Sequence, residues 1–395
     1  MFAVASDFIT DLGRQVSQTK DKVWTGVTRR VVPALDRASV RLNADVPVLE
    51  AAIGRLDATL SLRAVRARVE AIHDETHDTK TYWLRPNARF GTFRAGAHVT
   101  LHLQIGGRAV ERTYSLSSAP RTDGLVSITV KRVAGGHVSN WLADTLRPGH
   151  VLTLSAPRGE FVLPNALPRK LLMISGGSGI TPVMSILRKL VAESAACDVT
   201  FLHFARTPRD IIFREELERI SQAHPNVRLA FCVEADGGTR EQAWTGAQGR
   251  FCPELLQETA PDFRELDTFL CGPPAFMRCV VQTLEREKAD LSKLRYERFT
   301  TEVDASMFSD QVTRLRFVRS GFESVSNQPR TILEHAESAG LAPVFGCRAG
   351  NCGTCRSRKL SGVVVDVTTG LESQPGEQFI YPCVSVARGC VEMDL

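Results

Sequence analysis

The sequence lacks several features that would assign the protein to a specialised class. No apolar run approaches the length of a membrane-spanning helix, so we expect no transmembrane segment. The first residues lack a basic start followed by an apolar stretch, and we therefore expect no secretory signal. The formal net charge of +5 is too small to indicate nucleic-acid binding. There is no internal repeat and no low-complexity tract.

What is present is the composition of a soluble globular protein, with 43% apolar and 24% charged residues. A length of 395 residues accommodates two to four domains. Of the 10 cysteines, four fall into a metal-ligand spacing and the others are scattered. This pattern is typical of a reducing compartment, where thiols persist. We expect a cytoplasmic protein.

The pattern of apolar residues changes three times along the chain. Residues 1–60 carry apolar side chains at helical spacing, which predicts a helical N-terminal extension. Residues 61–166 contain short apolar runs bounded by Gly, Pro and Asp, which predict a small antiparallel β-barrel. Residues 167–302 alternate apolar strands with helices and predict a parallel sheet, which the strand TFLCG closes. Residues 303–395 return to short strands with one helix. The predicted fold class is α/β plus all-β.

Four cysteines near the C-terminus have the spacing of an iron–sulfur ligand set. Cys347, Cys352 and Cys355 are separated by four and two residues, and Cys383 follows after a longer gap. This is the plant-type [2Fe–2S] spacing. Glycines in the loop of residues 346–355 let the backbone approach the sulfides of a cluster. A structural zinc site is the alternative, but zinc sites favour two paired CxxC motifs and only one pair here has that spacing.

Residues 313–395 resemble a plant-type ferredoxin domain. The four cysteines match the ligand motif of that family one for one. The helix PRTILEHAESAG and the strand YPCVSVA occur where that family has them. The resemblance implies a β-grasp ferredoxin domain. Cys390, which is close to Cys383, is interpreted as a packed thiol outside the ligand set.

Three short motifs suit a cofactor that carries phosphate. Arg112-Thr113-Tyr114-Ser115 ends a strand-like run, and Val130-Lys131-Arg132 lies on a later one. The stretch 136–142, GHVSNWL, predicts a glycine turn that enters a helix, and such a helix N-terminus is a ready anion site. An arginine can hold a diphosphate through two hydrogen bonds, and a tyrosine face can cover an isoalloxazine ring. Alone, R-x-Y-S is also typical of an ordinary strand edge, and the other two motifs add weight to the cofactor interpretation.

Residues 62–300 resemble the ferredoxin–NADP reductase family, in which R-x-Y-S, V-K-R and G-x-x-S-N-x-L occur in this order. The resemblance implies that Arg112 contacts the flavin diphosphate and that Tyr114 stacks on the ring. It also implies that Ser115 hydrogen-bonds flavin N5 and that Ser139 binds phosphate. FAD is the expected flavin, although some relatives with a fused ferredoxin domain use FMN. The implied flavin-binding residues are Arg112, Thr113, Tyr114, Ser115, Val130, Lys131, Gly136, His137, Val138, Ser139 and Phe299.

A glycine-rich turn indicates a nicotinamide nucleotide site. The stretch 176–182, GGSGITP, follows the predicted strand LLMIS and opens a helix, whose dipole favours a diphosphate. Pro182 stands where the Rossmann motif has its last glycine, and G-x-G-x-x-P is the form of the reductase family. Cys271-Gly272-Pro273 ends another predicted strand, where ligands of open α/β sheets bind. The implied nucleotide-binding residues are Gly177, Gly179, Ile180, Thr181, Pro182, Cys271, Gly272 and Pro273.

The resemblance also implies catalytic side chains near the nicotinamide. In the family the matching cysteine lies beside nicotinamide C4, and we carry this role to Cys271; a buried strand cysteine is the alternative. Tyr296-Glu297-Arg298-Phe299 resembles the E-x-aromatic end of the reductases. Phe299 would then cover the flavin and Glu297 would line the site, although surface charge and linker packing explain this segment equally well. The expected catalytic residues are Ser115, Cys271 and Glu297.

Two arginines bear on the choice of nucleotide. A protein specific for NAD would carry Asp or Glu at the end of the second strand of the nucleotide domain. After VTFLHFA come Arg206 and Arg209 instead. An arginine there can pair with a 2′-phosphate, or it can cap nearby carbonyls. We expect NADPH, with NADH as the alternative.

The expected function is a reductase that passes electrons from NADPH through FAD and a [2Fe–2S] cluster to a partner. The domain order resembles reductases that serve oxygenases and membrane fatty-acyl desaturases. A soluble ring-hydroxylating or CoA-linked oxygenase is the alternative partner, and a non-redox scaffold is the alternative of another class. The segment 24–32, WTGVTRRVV, predicts a basic amphipathic helix that can contact a membrane, dock on a partner or brace the barrel. We expect it to aid delivery to a membrane-bound di-iron desaturase at the inner face of the membrane.

Overall fold

The computed structural model describes residues 50, 54–55, 57–164, 166–236, 244–299, 303, 308, 312–346, 348–350, 353–368 and 370–395. The helical extension expected for residues 1–60 therefore lies almost entirely outside the described residues. Glu50 accepts hydrogen bonds from the backbone N–H of Leu62, at 2.7 Å, and from the hydroxyl of Ser61. This contact ties the end of the extension to the first sheet. In the part of the chain that is described, no helix combines the length and apolar character needed to cross a bilayer.

The first sheet is antiparallel, with the strand order β4-β3-β6-β1-β2-β5. Along β3, Val99, Leu101 and Leu103 are buried while the intervening side chains are more exposed, which is the alternation of a strand with one face on a core. A bridge between Leu116 and Ile128 brings the two edge strands together and closes the sheet into the predicted barrel. The strands are β1 (Val65–Thr76), β2 (Thr79–Pro86), β3 (His98–Ile105), β4 (Arg108–Ser115), β5 (Val126–Lys131) and β6 (Val151–Leu154). Helix α1 (His137–Thr145) lies between β5 and β6 in the chain.

The second sheet is parallel, with the order β10-β9-β8-β7-β11-β12. Strands β7 and β8 are buried along nearly their whole length, as expected for parallel strands covered by helices on both faces. The strands are β7 (Lys170–Gly176), β8 (Asp198–Ala205), β9 (Val227–Val233), β10 (Ala247–Gln248), β11 (Asp267–Cys271) and β12 (Leu294–Glu297). The helices are α2 (Ile180–Ala192), α3 (Arg214–Ala223), α4 (Pro253–Thr259) and α5 (Pro274–Arg286).

The prediction that TFLCG closes this sheet is wrong. Strand β12 pairs in parallel with β11 and adds a further strand at the edge, with Glu297 opposite Cys271. The run LRYE is short and half charged, so the periodicity of its apolar residues does not distinguish a strand from a loop. Pairing with the buried strand β11 stabilises it as a strand. Glu297 therefore belongs to the sheet of the nucleotide domain and not to a linker.

The third sheet is mixed, with the order β14-β13-β17-β15-β16. Strands β13 and β17 run parallel to each other, and the other pairs are antiparallel. Thr331 and Glu334 form a reciprocal capping box at the start of the predicted helix, α6 (Ile332–Ser338). The strands are β13 (Thr313–Phe317), β14 (Phe322–Ser326), β15 (Ser357–Asp366), β16 (Gln378–Ile380) and β17 (Ser385–Met393). The predicted domain boundaries near residues 61, 167 and 302 stay predictions.

The barrel and the nucleotide domain are joined by buried hydrogen bonds. Ser185, in α2, accepts a bond from the backbone N–H of Gly96 at 3.1 Å and donates one to the carbonyl of Ser118 at 2.6 Å. Gly96 has a φ of +94°, and a Cβ there would lie 2.0 Å from the carbonyl oxygen of Phe161. A larger residue at Gly96 would collide with the backbone of Phe161, and its Cβ would also lie 3.3 Å from Cδ1 of Ile186 in α2 of the nucleotide domain.

A buried lysine stabilises the third domain. Lys359 is completely buried, and its Nζ donates hydrogen bonds to the carbonyl oxygens of Gly362 at 2.7 Å, Gln374 at 2.8 Å and Gly376. Burial lowers the pKa of this ammonium group. The three carbonyls belong to two separate segments, so the lysine fastens the 374–376 turn to β15.

We predict that Lys359→Ala lowers the free energy of unfolding of this domain by about 3 kcal/mol, because three carbonyls lose a charged donor. Urea denaturation followed by the visible absorbance of the domain measures the change. The neighbouring Arg358→Ala is the matched control, since Arg358 makes only exposed ion pairs with Glu377 and Asp394 and should leave the midpoint almost unchanged. Equal shifts for the two variants would contradict this assignment.

Candidate functional site

A buried carboxylate lies where the first and second sheets meet. Glu297 is 6% exposed, and both of its oxygens face the barrel. The Ser115 hydroxyl donates to Oε2 at 3.0 Å, and His98 Nδ1 lies 3.2 Å from Oε1. Because His98 and Ser115 are direct partners across β3 and β4, the barrel register positions both groups against the carboxylate. The structure thus brings together Ser115 and Glu297, two of the three residues expected to be catalytic.

His98 is a site residue that the sequence analysis missed. It opens an ordinary apolar strand, and its partner Glu297 is 199 residues away in the chain. Gly159 packs on the ring, because a Cβ at Gly159 would lie 3.0 Å from Nδ1 of His98. No local pattern marks such a residue, since its environment arises only when the two domains meet.

Cys271, the third expected catalytic residue, lies beside Glu297 at the end of the neighbouring strand. The side chain is completely buried. Burial, and then the negative charge of Glu297, raise the pKa of the thiol well above its ordinary value. The group therefore stays a neutral thiol at physiological pH. A small neutral group suits contact with a nicotinamide ring and does not suit nucleophilic attack.

The predicted glycine turn packs directly on the end of β11. A Cβ at Gly179 would lie 2.3 Å from the carbonyl oxygen of Cys271 and 2.6 Å from Cα of Gly272, so no larger residue fits. Gly177 has a φ of +51°, but a Cβ there would meet nothing within 4 Å. The first residues of α2 after this turn are all buried, namely Ile180, Thr181 and Pro182.

The same strand ends line a cleft of about 660 Å³. Among the predicted nucleotide-binding residues, Gly177, Arg206 and Pro273 line it, whereas Arg209 does not. Arg250 and Glu234 also line the cleft, with Arg250 Nε 4.0 Å from the Glu234 carboxylate. The position at the carboxyl ends of parallel strands is that of ligand sites in open α/β sheets.

Lys131 reaches this cleft from the barrel. Its Nζ lies 2.9 Å from the carboxylate of Asp78 and 3.7 Å from that of Asp210, which belongs to the nucleotide domain. The lysine therefore bridges the two domains at the wall of the cleft. Its neighbour Val130 is a buried residue of the barrel core. The expected contacts of both residues with the flavin stay predictions.

Two expected flavin-binding residues lie on one face of β4. Tyr114 is half-buried against the barrel core, and burial raises its pKa to about 12, so the phenol stays protonated. Burial and the nearby positive charge of Arg348 lower the pKa of Arg112. Thr113 points to the other face and shares a hydrogen bond of 3.0 Å with Thr100. Arg112 thus lies close to the loop that carries the predicted cluster ligands.

Helix α1 begins at the predicted anion site. Gly136 is its N-cap, and a Cβ there would lie 2.6 Å from Oγ of Ser139. The Ser139 hydroxyl accepts a bond from the N–H of Val133 at 3.2 Å and retains its proton for another acceptor. Val138 is buried in the barrel core and His137 is exposed. The glycine turn and hydroxyl therefore leave the first backbone N–H groups of the helix available to an anion.

The segment after β12 connects the site to the third domain. Phe299 is half-buried and packs against the core of the nucleotide domain. The Arg298 guanidinium lies 4.6 Å from the ring centre of Tyr296. It also donates a hydrogen bond of 3.2 Å to the carbonyl of Thr368 in the third domain. This segment therefore takes part in positioning that domain beside the other two.

Two predicted cluster ligands come together in the third domain. Cys355 and Cys383 are 4% and 3% exposed, and their Sγ atoms lie 3.3 Å apart, well beyond the roughly 2.05 Å of a disulfide bond. Gly350 and Gly353, with φ values of +78° and +71°, provide the turns that let a loop wrap a cluster. The other two predicted ligands, Cys347 and Cys352, lie outside the described residues.

The interpretation of Cys390 as a packed thiol is wrong. Its side chain is exposed on β17. The alternation of a strand puts Cys390 on the solvent face, opposite to the buried Val391. This position keeps the thiol outside the pair formed by Cys355 and Cys383.

Comparison with known proteins identifies all three domains. The oxidoreductase FAD-binding domain family matches residues 66–163, the oxidoreductase NAD-binding domain family matches residues 173–282, and the 2Fe-2S iron-sulfur cluster binding domain family matches residues 317–388. An NADPH oxidoreductase of Mycobacterium tuberculosis is 34% identical over 85% of each chain. The chain belongs to the iron–sulfur flavoprotein reductases of the ferredoxin–NADP reductase type.

Two further similarities describe this reductase more closely. The glycine betaine monooxygenase reductase subunit of Chromohalobacter salexigens is 34% identical over 83% of this chain and 94% of its own. The crystal structure of phthalate dioxygenase reductase covers 84% of this chain and 98% of its own with a TM-score of 0.57 and 24% identity, which shows a shared fold. FAD, a nicotinamide nucleotide and a [2Fe–2S] cluster are therefore its cofactors.

The described residues fit these groups. The open N-terminus of α1 and the guanidinium of Arg112 offer donors to a flavin diphosphate. The cleft at the end of β7 offers glycine backbone and Arg206 to a nucleotide. Two buried thiols are suitable ligands for iron.

The close contact at Gly179 gives a direct test of the nucleotide site. We predict that Gly179→Ala raises the KM for NADPH by about tenfold or more, because the added Cβ pushes the turn away from the end of β11. Steady-state kinetics at varied NADPH measures the effect. Gly124→Ala is the matched control, since Gly124 does not line the cleft, has open space at its Cβ position, and adds only the cost of about 1 kcal/mol for a positive φ. An equal or larger rise in KM for Gly124→Ala than for Gly179→Ala would contradict the packing described.

Proposed function

We propose that this reductase takes a hydride from NADPH and delivers electrons one at a time, through FAD and the cluster, to a terminal oxygenase. The observation that carries the proposal is the hydrogen bond of 3.2 Å from Arg298, the residue after Glu297, to the carbonyl of Thr368, because it joins the flavin and nucleotide domains to the domain with the predicted cluster ligands. A flavin supplies the chemistry that converts a two-electron donor into single electrons. The protein positions the nicotinamide, the flavin and the cluster close enough for electrons to pass between them.

Each expected catalytic residue has a proposed role that its surroundings support. Ser115 directs its hydroxyl toward flavin N5, and Glu297 holds that hydroxyl in place by accepting its hydrogen bond. Cys271 lies against nicotinamide C4 as a neutral, fully buried group. Tyr114 and Phe299 would hold a bound flavin by packing against its ring. The aromatic and thiol groups exclude water from the point of transfer.

An oxygenase is the proposed acceptor because relatives that match most of this chain are named as reductase subunits of monooxygenases. A soluble oxygenase fits these names. The alternative acceptor, a membrane-bound desaturase reached through residues 1–60, stays a prediction. It depends on a segment that lies almost entirely outside the described residues.

The cluster assignment is tested with two cysteine variants of the same domain. We predict that Cys383→Ser lowers NADPH-dependent reduction of a one-electron protein acceptor at least tenfold while reduction of ferricyanide by the flavin persists. Cys390→Ser is the control, because the exposed Cys390 thiol lies outside the proposed ligand set. Iron content and acceptor turnover are measured for both. Full iron content and turnover in Cys383→Ser would show that the ligand assignment is wrong.

The proposed preference for NADPH rests on Arg206, which lines the cleft where its guanidinium can pair with a 2′-phosphate. We predict that Arg206→Ser lowers the ratio of kcat/KM for NADPH to that for NADH by about tenfold, the value of one charge-assisted hydrogen bond. Arg209→Ser is the matched control, because Arg209 does not line the cleft. A wild-type preference for NADH, or equal effects of the two substitutions, would contradict the proposal.

A further inference from the structure

Two carboxylates from different domains face the lysine at the wall of the nucleotide cleft. The ammonium group of Lys131 lies 2.9 Å from Oδ2 of Asp78 in the barrel and 3.7 Å from Oδ1 of Asp210 in the nucleotide domain. His77 Nε2 lies 3.8 Å from the first carboxylate and 4.0 Å from the second. The side chain of Lys131 is 23% exposed and that of Asp210 is 13% exposed, so water screens their attraction only in part.

The two carboxylates do not hold the lysine equally. In Asp78, Oδ1 accepts hydrogen bonds of 2.9 Å from the hydroxyls of Thr76 and Thr79, and Oδ2 is the oxygen next to Lys131. Thr79 and Lys131 are direct partners across β2 and β5, so the barrel register keeps this contact short. The contact with Asp210 is longer and joins separate domains. Asp210 is therefore the partner that Lys131 gives up more easily.

Asp210 is held in place by bonds that do not involve the lysine. Its Oδ2 accepts hydrogen bonds from the backbone N–H of Thr207 at 3.1 Å and from the Thr207 hydroxyl at 2.7 Å. These two bonds belong to a capping box in the turn that follows β8. They leave Oδ1 as the oxygen next to Lys131. The carboxylate therefore stays at the cleft whether or not the lysine is paired with it.

Lys131 and Asp210 line the same cavity as the glycine turn. The turn residues Gly176, Gly177 and Ser178 border the cleft of about 660 Å³ together with both side chains. A diphosphate at the turn therefore shares one cavity with an ammonium group and a carboxylate. Because unlike charges attract and like charges repel, such a diphosphate attracts the lysine and opposes its pairing with the carboxylate.

We propose that Asp210 competes with the nucleotide diphosphate for Lys131 and thereby keeps NADP⁺ loosely bound. When the nucleotide is present, one N–H of the ammonium group turns from the Asp210 carboxylate to a phosphate oxygen, while another stays on Asp78. When NADP⁺ leaves, Asp210 pairs with the lysine again. The inference rests on the function proposed above, in which hydride transfer leaves NADP⁺ in the cleft and NADP⁺ has to depart before the next NADPH binds.

Substitution by asparagine separates the charge of Asp210 from its structural bonds. In Asp210→Asn the amide oxygen takes the place of Oδ2 and keeps both bonds from Thr207, while the negative charge is lost. Asp262→Asn is the matched control. Asp262 belongs to the same domain and forms an ion pair of 2.6 Å with Lys170, the first residue of β7, but it does not line the cleft.

The first measurement is the Kd of NADP⁺ for the oxidised full-length holoprotein, obtained by isothermal titration calorimetry. We expect Asp210→Asn to lower this Kd about threefold, the effect of a partly exposed ion pair, and Asp262→Asn to leave it almost unchanged. NAD⁺ carries the same diphosphate, so its Kd falls by the same factor. An unchanged or higher Kd in Asp210→Asn overturns the proposal, because the carboxylate then only braces the domains. A decrease confined to NADP⁺ also overturns it, because the 2′-phosphate then pairs with the lysine.

The second measurement repeats the substitution in the absence of the lysine. In Lys131→Met the Kd of NADP⁺ rises, and adding Asp210→Asn lowers it by a smaller factor than in the wild type, because the competition is gone. An equal factor in both backgrounds would show that Asp210 only repels the nucleotide, which refutes the competition. Loss of bound FAD from Lys131→Met would assign the lysine to the flavin and refute it as well. The first measurement does not depend on this variant.

The outcomes separate this inference from the function on which it rests. If Gly179→Ala weakens the binding of NADP⁺ but Asp210→Asn does not strengthen it, the proposed nucleotide site stands and the competition is overturned. If Gly179→Ala leaves the Kd of NADP⁺ unchanged, the proposed nucleotide site fails and this inference fails with it.

Discussion

The site depends on one buried carboxylate that neither domain can satisfy alone. Glu297 belongs to the edge strand of the nucleotide sheet, and the groups that bond its oxygens belong to the barrel. Burying an ionisable group without partners costs several kcal/mol, so the two domains can dock over this carboxylate because the barrel supplies Ser115 and His98 as its partners. The group of Glu297, Ser115 and His98 is therefore complete only when the barrel and the nucleotide domain are docked.

The rest of the geometry follows from that docking. Strand β11 puts Cys271 beside Glu297, and the glycine turn closes on Cys271 because Gly179 has no side chain. The same turn borders the cleft that Arg206 and Lys131 line from two domains. Hydrogen bonds between Ser185 and the barrel residues Gly96 and Ser118 stabilise the interface between the two domains. Arg298 then donates a hydrogen bond to Thr368 and so connects the nucleotide domain to the third domain, which carries the predicted cluster ligands.

Sequence alone predicted the parts of this arrangement that are encoded locally. Cysteine spacing marks a cluster loop, and glycines before a helix mark phosphate sites, because both patterns reflect the backbone geometry of a single short segment. His98 and β12 were missed because their environment comes from distant chain segments. The same limit explains the error at Cys390, where only the register of β17 decides that the thiol is exposed. The desaturase prediction rests on residues 1–60, which the described residues barely include.

The central claim is that electrons from the nucleotide reach the cluster within one chain. The most direct test is an anaerobic titration of the full-length protein with NADPH, followed by flavin absorbance and by low-temperature paramagnetic resonance of the reduced cluster. The account predicts that the flavin bleaches and that the cluster signal rises toward one spin per chain. A flavin that bleaches completely while the cluster stays oxidised in the presence of excess NADPH would contradict it.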